Sequence, residues 1–319
     1  MIDQIPPCLD GKELVMNRSE ALIATSRRVK TKTSLLEFAV IMPALIFYLV
    51  FVVYPLFGGI FYSATDWNGV SSTYHIINLD NYVTIFHDKY VLEPLFNTFI
   101  YAILTTILLN VFGLAIAVGA ERVCAGKNLF RALFFIPSVL SAIVVGYIFN
   151  FLFSSVFSVV GKALEIPAIA NNLLGDKRYS LLMCVLVASW KGAGWYMVIY
   201  IAGLQSIDQS LYDAADIDGA TGWKRFRFVT FPLLAPAFTI NMVLAVERAF
   251  KEYDLVFALT GGGPGRASEL ISMTIYNESF TNKRAGYGSA LGVILFLIIV
   301  IITLFQMKVL RGREENARD

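Results

Sequence analysis

Leu211-Tyr-Asp-Ala-Ala-Asp-Ile-Asp-Gly-Ala220, followed a few residues later by Phe231-Pro-Leu-Leu-Ala-Pro236, is a polar stretch set between two long apolar segments. It reads as helix, turn, helix. Asp208 or Ser210 can cap the first helix, because a side-chain oxygen there accepts one of the free first-turn N–H groups. Asp213, Asp216 and Asp218 make that helix acidic, and Gly219 can take the left-handed conformation that ends it. Thr221 can cap a second helix carrying Trp223, Phe226 and Phe228, which is expected to stop before Pro232. Ala214 and Ala215 are small enough for another surface to come close. A compact knob of this kind suits docking to a soluble partner. The plain alternative is a solvated connector.

The composition says what the knob is attached to. The chain has 319 residues, 57% of them hydrophobic and 16% charged, with a mean hydropathy of +0.65. A soluble domain carries about 25% charge. Apolar runs near the ~20 residues needed to cross the hydrocarbon core recur along the sequence, so the chain is a polytopic all-α membrane protein. Expected spans lie near 37–62, 97–119, 131–153, 181–203, 236–258 and 286–307. The polar residues before the first span end in Arg27, Arg28, Lys30 and Lys32. The run from Leu35 to Ser63 is too long for the h-region of a signal peptide, so it reads as an uncleaved first span.

The fifth span carries Glu247, Arg248, Lys251, Glu252 and Asp254, and hydropathy alone would reject it. Charge placement restores it. With six spans, sixteen of the 26 Lys and Arg residues fall on one side, seven on the other and three within spans. The excess marks the cytoplasmic face. Both termini and the 205–235 loop are therefore expected inside. The organisation is a cytoplasmic tail at 1–34, a membrane domain at 35–307 and a cytoplasmic tail at 308–319, with outer loops too short for a separate domain.

Several chemistries find no support. Gly126-Lys127 and Gly161-Lys162 are not followed by Ser or Thr, so neither is a phosphate-binding loop. His75 and His87 read as ordinary surface histidines. Cys8, Cys124 and Cys184 have neither metal-ligand nor disulfide spacing. No Ser/His/Asp arrangement and no repeated filter-like segment is present, which disfavours an intramembrane hydrolase and an ion channel. No catalytic residue, metal site or nucleic-acid interface is expected.

Ionisable groups at membrane depth are costly, and they mark internal pairs or a solute path. Glu247–Lys251 and Arg248–Glu252 are at i,i+4 spacing, and Lys191 brings the net charge of the set to zero. One reading is a charge-balancing network in which Lys191 pairs with Glu247. The other is a polar lining for a hydrophilic solute, with Lys191, Glu247 and Tyr253 on the path and Trp190, Trp195 and Tyr196 as stacking faces. Gly288 and Gly292 open the sixth span with a spacing that lets helices pack closely.

Trp190-Lys-Gly-Ala-Gly-Trp195, Ala202-Gly-Leu-Gln-Ser-Ile-Asp208, the acidic loop and Phe231-Pro-Leu-Leu-Ala-Pro236 together resemble the inner-membrane permeases of binding-protein-dependent ABC importers. The loop is similar to their EAA motif. Leu259-Thr-Gly-Gly-Gly-Pro-Gly265 resembles the carbohydrate branch, close to the larger maltose-transporter permease, as do Asn78-Leu-Asp-Asn-Tyr82 and Phe135-Ile-Pro-Ser-Val-Leu-Ser141. The resemblance covers about 37–307. It implies a MetI-like type I importer fold of six transmembrane helices, in the cytoplasmic membrane of a bacterial-type cell. It implies ABC ATPase subunits that use ATP and Mg, a second permease, and an extracytoplasmic solute-binding protein that delivers a sugar. It places ATPase coupling on Asp213, Ala214, Ala215, Asp218 and Gly219. The first of these departs from the family's usual Glu, keeping the charge on a shorter arm. This chain itself would bind no cofactor and would not be an enzyme. Two other solute readings stay open. Glycerol phosphate or a polyol would suit Lys191 and Arg248, and a proton-coupled secondary transporter would use Glu247 or Asp254.

Overall fold

The computed structural model describes residues 38, 40–122, 126–166 and 172–316. The expected N-terminal tail at 1–34, with Cys8, and Cys124 lie outside the described residues. All regular structure among the described residues is helical, apart from a single antiparallel bridge between Thr65 and Ile76. The chain divides into two compact units, Met1–Gly58 and Gly59–Asp319.

Helix α1 (Val40–Tyr62) is the first apolar span and contains a π-helical turn at Leu49–Val53, flanked by a stack of Phe47 on Phe51 at 5.9 Å. Of the second unit, α2 (Asp80–His87) lies in the first outer loop, tied down by Asn81, whose Nδ2 donates to the carbonyls of Ser63 and Thr65 at 2.8 and 2.9 Å. Then follow α3 (Lys89–Arg122), α4 (Lys127–Val139), α5 (Ala142–Ala163) and α6 (Ser180–Gln205). The chain continues through α7 (Gln209–Ile217), α8 (Trp223–Leu233), α9 (Ala235–Phe250), α10 (Asp254–Thr260), α11 (Ile271–Tyr276) and α12 (Ala285–Asn316).

The centre of the second unit is α6 laid along α3, with α9 against α3 and α12, α4 across α6, and α10 on α5. Apolar burial drives little association between helices in a bilayer, so packing depends on close approach. Glycines supply it here. A Cβ on Gly113 of α3 would lie 2.9 Å from Cβ of Tyr196, and one on Gly146 of α5 would collide with Ala258 of α10. One on Gly194 of α6 would run into the backbone of Phe134 and Phe135 in α4. Of the pair opening α12, Gly288 packs against Ser279 of the preceding turn, whereas Gly292 meets nothing. The spacing therefore serves packing within the chain at one position only.

Four sequence expectations need correction. The third span is Ala142–Ala163 rather than 131–153. Leu140 and Ser141 are extended, with ψ of 147° and 136°, and split the apolar run into α4 and α5. Pro137, which removes a helical donor, sits just before the break. The fifth span is broken too. Among the described residues five helices are long and apolar enough to cross a membrane, and α8 with α9 makes a sixth as a pair bent by 68°. At ~1.5 Å per residue α9 alone is only about 24 Å long. The expected run 236–258 is α9 and α10 interrupted at Lys251–Tyr253, where the charges lie. The second loop helix does not stop before Pro232 but runs on to Leu233 by way of a π-helical turn at Phe226–Thr230. Finally, the last helix continues through Lys308 into the expected C-terminal tail, as far as Asn316.

Gly194→Leu should force α4 off α6. Overpacking of this kind typically costs about 1–3 kcal/mol. The variant is expected to lose its monodisperse peak in detergent size-exclusion chromatography at a temperature the parent survives, while Gly292→Leu, at an open position, keeps it.

Candidate coupling face and translocation path

The loop at 205–235 is a rigid element. Asp208 caps α7 by accepting from the Ser210 N–H at 2.9 Å, and that bond holds its carboxyl below the usual range. The contribution of the cap is therefore present above the ordinary aspartate pKa and fades as pH falls through the lowered one. At the other end Gly219 is left-handed, with φ +74°. The Ala220 N–H reaches back to the Ala215 carbonyl at 2.8 Å and the Gly219 N–H to Asp216 at 3.1 Å. Both bonds of a Schellman turn are thus made. Thr221 does not cap the next helix with its side chain. Gly222 holds that position with φ +57° and no side-chain bond, and Thr221 offers only its carbonyl, to the Lys224 N–H.

Arg225 of α8 pairs with Asp216 of α7 at 3.1 Å, lies over the ring of Tyr212, and so locks the two helices together. The coupling candidates separate by burial. Ala215 is turned inward at 6% exposure, whereas Asp213, Ala214, Asp218 and Gly219 face out. Asp213 is held by Gln209, whose Nε2 donates to it at 3.2 Å. Around them Ile217 is 87% and Trp223 70% exposed. An acidic helix end ringed by exposed apolar side chains is a surface built to be covered.

The path candidates fall into three places. Trp190 packs on Phe149 at 5.2 Å and lines an apolar hollow of about 550 Å³ with Phe112, Phe134 and Pro137. It faces away from the charges. Trp195, Tyr196, Glu247 and Tyr253 share an open cavity of about 670 Å³ with Arg248 and Lys251. Tyr253 stacks there on Phe257 at 5.5 Å and on Tyr276 at 5.4 Å. Lys191, 8% exposed, lines a much smaller cavity of about 50 Å³ with Tyr196, Arg248 and Glu252.

The pairing of Lys191 with Glu247 is not formed. Glu247 binds Lys251 instead, at 2.6 Å and at the expected i,i+4 spacing. The second expected pair, Arg248–Glu252, is absent among the described ion pairs. The helix ends at Phe250, so Glu252 is no longer one turn above Arg248. Glu252 instead accepts from the Leu255 N–H at 3.2 Å, capping α10, and its carbonyl receives the Ser272 hydroxyl. The sequence gave no reason to single out Tyr101 and Thr105 of α3, which close the small cavity opposite Lys191. They lie in an apolar helix whose facing surface only packing reveals. The His75 ring Nδ1 lies 3.1 Å from the Asp66 carboxylate, and the His87 ring meets the Val83 carbonyl of its own helix.

The run Thr260–Gly265 turns back on itself through left-handed Gly261, Gly262 and Gly265 and a cis Gly263–Pro264 bond. The Ser268 hydroxyl closes it on the Gly263 carbonyl at 2.6 Å. Arg266 joins Glu269 and the Tyr90 carbonyl, and Asn97 of α3 donates to the carbonyls of Arg266 and Glu269. The turn is thus stapled to the start of α3.

Five apolar spans and a bent sixth, with charges grouped at the break after α9, define a multi-pass membrane protein. Residues 109–314 match the family described as binding-protein-dependent transport system inner membrane component, and the chain belongs to it. A probable starch degradation products transport system permease protein of Thermoanaerobacterium thermosulfurigenes is 35% identical over 86% of this chain and 93% of its own length. The multiple sugar-binding transport system permease protein of Streptococcus mutans is 33% identical over 83% and 91%. The sn-glycerol-3-phosphate transport system permease protein of Agrobacterium fabrum is 30% identical over 88% and 96%. In fold, the chain superposes with a TM-score of 0.77 on a bacterial ABC transporter involved in the import of the acidic polysaccharide alginate. That match is 20% identical and covers 90% of this chain and 99% of the other. The fold is that of an ABC importer permease, and the six-span MetI-like expectation holds with its fifth span broken.

A double-mutant cycle on thermal stability should therefore find coupling between Glu247 and Lys251, about 0.3–0.5 kcal/mol if the pair behaves as an exposed i,i+4 pair. It should find none between Lys191 and Glu247. Coupling at the second pair alone would mean that these side chains are exchanged in the folded protein.

Proposed function

We propose that this chain is a permease subunit of an ABC importer for a sugar, forming one wall of the translocation path and taking its drive from a separate ATPase through the 205–235 loop. The observation that carries the reading is the locked α7–α8 knob, which leaves Asp213, Ile217 and Trp223 uncovered although α7 is capped at both ends and tied to α8. ABC ATPase subunits using ATP and Mg would cover that face. The chain would hold no cofactor and hydrolyse nothing itself. The excess of basic residues on the loop side puts that face, and both termini, in the cytoplasm. An extracytoplasmic solute-binding protein would deliver the sugar at the opposite face.

A second permease follows from the charges of α9. Glu247 and Lys251 are half exposed on the isolated chain, and at membrane depth such a pair faces protein or a water-filled cavity rather than lipid. The open cavity beside Trp195, Tyr196 and Tyr253 is then one half of a path that another permease completes, and aromatic faces in it suit a sugar. Asp213, Ala214, Ala215, Asp218 and Gly219 carry the coupling. Nucleotide binding moves the knob, and the spans exchange inward-open and outward-open states, each ligand acting through its differential affinity for the two.

Glycerol phosphate is the second reading. It is favoured by Lys191 and Arg248, two cations that share a cavity wall with the single carboxylate of Glu252, and by the name of one relative. The proton-driven alternative loses its ground with membership of the family.

Affinity purification of the tagged chain in mild detergent tests the assembly. ATPase subunits in about equal number to total permease are expected, together with a second permease. In the reconstituted complex, solute-stimulated ATP hydrolysis should disappear in Asp213→Arg and in Gly219→Pro at normal membrane expression. Normal stimulation in both would remove the coupling role, and a chain that purifies alone and still transports without ATP would remove the importer reading altogether.

A further inference from the structure

Lys191 is more than nine-tenths buried, yet its ammonium meets no carboxylate within 4.0 Å and no hydrogen-bond acceptor among the described residues. It lines a cavity of about 50 Å³ between α3, α6 and α9, whose wall shares Ala142, Tyr196, Arg248 and Glu252 with the larger open one. The buried hydroxyl of Thr105 also lines it, beside Tyr101, and makes no hydrogen bond within 3.5 Å among the described residues. The remaining ionisable groups on the wall are the hydroxyls of Tyr101 and Tyr196, Arg248, without an ion pair among the described residues, and Glu252, whose carboxylate accepts from the Leu255 N–H and lies in the field of both cations. Glu247 and Lys251 neutralise each other outside the cavity, and Asp254 is exposed and does not line it.

The cavity wall thus carries two cations against one carboxylate. A buried charge without a partner is among the costliest arrangements in a protein. Two donors aimed into an empty space define what belongs there. A metal cation is repelled by the wall. A sugar is too large, since at ~10–15 Å³ of such space per water the cavity has room for roughly three to five water molecules. We propose that the cavity is a binding site for one small monovalent inorganic anion of the halide class, held by Lys191 with the Thr105 hydroxyl opposite and Arg248 at the rim. The anion would join α3, α6 and α9, the three helices that line the cavity.

The test is thermal unfolding of the purified chain with its copurifying subunits in lipid nanodiscs, without solute. Sodium gluconate is replaced by sodium chloride or bromide at constant ionic strength. A ligand that binds only the folded state raises Tm in a saturable, concentration-dependent way. Both halides are expected to do so, with the half-saturating concentration raised at least tenfold in Lys191→Met and about threefold in Thr105→Val. Lys308→Met, on the exposed end of α12, should match the parent. Equal Tm in gluconate and halide would overturn the site and leave water as its occupant, as would a halide response preserved in Lys191→Met. If Lys191→Met does not fold, Thr105→Val decides, since it leaves the charges in place; an unchanged response there rejects the geometry. Because no solute is present, neither result bears on the importer reading.

Discussion

In a bilayer the backbone polar groups must find their partners within the protein, and a few buried polar side chains join the helices of this chain. Asn110 and Tyr200 join α3 to α6 at 2.6 Å. Asn241 of α9 donates to the Tyr196 carbonyl of α6 at 3.2 Å. The Thr98 hydroxyl receives the Ile271 N–H at 2.8 Å, and Asn150 reaches the Leu259 carbonyl at 2.7 Å. Each of these bonds needs backbones close together, which is why glycine or alanine stands at the crossings. The same requirement explains where the helices break. The gap between α9 and α10 exposes carbonyl and amide groups, and Glu252, Ser272 and the α10 cap take them up. A break at that depth is tolerable only because the surrounding protein, rather than lipid, receives it.

The charges of the fifth segment then become intelligible. A continuous helix through 236–258 would have carried five ionisable groups around its circumference. Ending α9 at Phe250 distributes them differently: Glu247 and Lys251 stay paired on the open side, Glu252 turns into capping work, and Arg248 remains at the edge of the small cavity. Lys191, adjacent in sequence to Trp190, points the opposite way because successive helical residues lie about 100° apart. One of the two neighbours thus faces an apolar hollow and the other the polar interior.

Much of this was legible in the sequence. The knob could be read nearly residue by residue, since Asp208 as a cap and Gly219 as a stop are decided by local backbone chemistry. Six membrane segments, and the need for the fifth, followed from charge placement. What hydropathy could not see were the breaks, because two extended residues at Leu140 and Ser141 leave an apolar run apolar. Spacing suggested Arg248–Glu252 on the premise of an unbroken helix, and that pair failed with the premise. Lys191 with Glu247 failed for a different reason: depth in two helices does not fix the rotation of either. The small cavity was invisible for the same reason, since Tyr101 and Thr105 are ordinary residues until α3 is turned toward α6.

The bend between α8 and α9 connects these levels. Leu234 lies at the corner, 1% exposed, in a cluster with Tyr200, Ile201 and Ala237. The Gly203–Ala237 approach, where a Cβ would come within 2.7 Å, leaves little room for α9 to slide over α6. Close-packed interiors shift between discrete arrangements rather than deforming smoothly. In the proposed coupling, a displacement of α7, locked to α8 by Asp216–Arg225, would reach the bend as a rotation about Leu234. That rotation would carry Glu247 and Lys251 at the far end of α9 into or out of the path. The distance from the docking face to the charged end is bridged by one bent element, with no loop to absorb the motion between them.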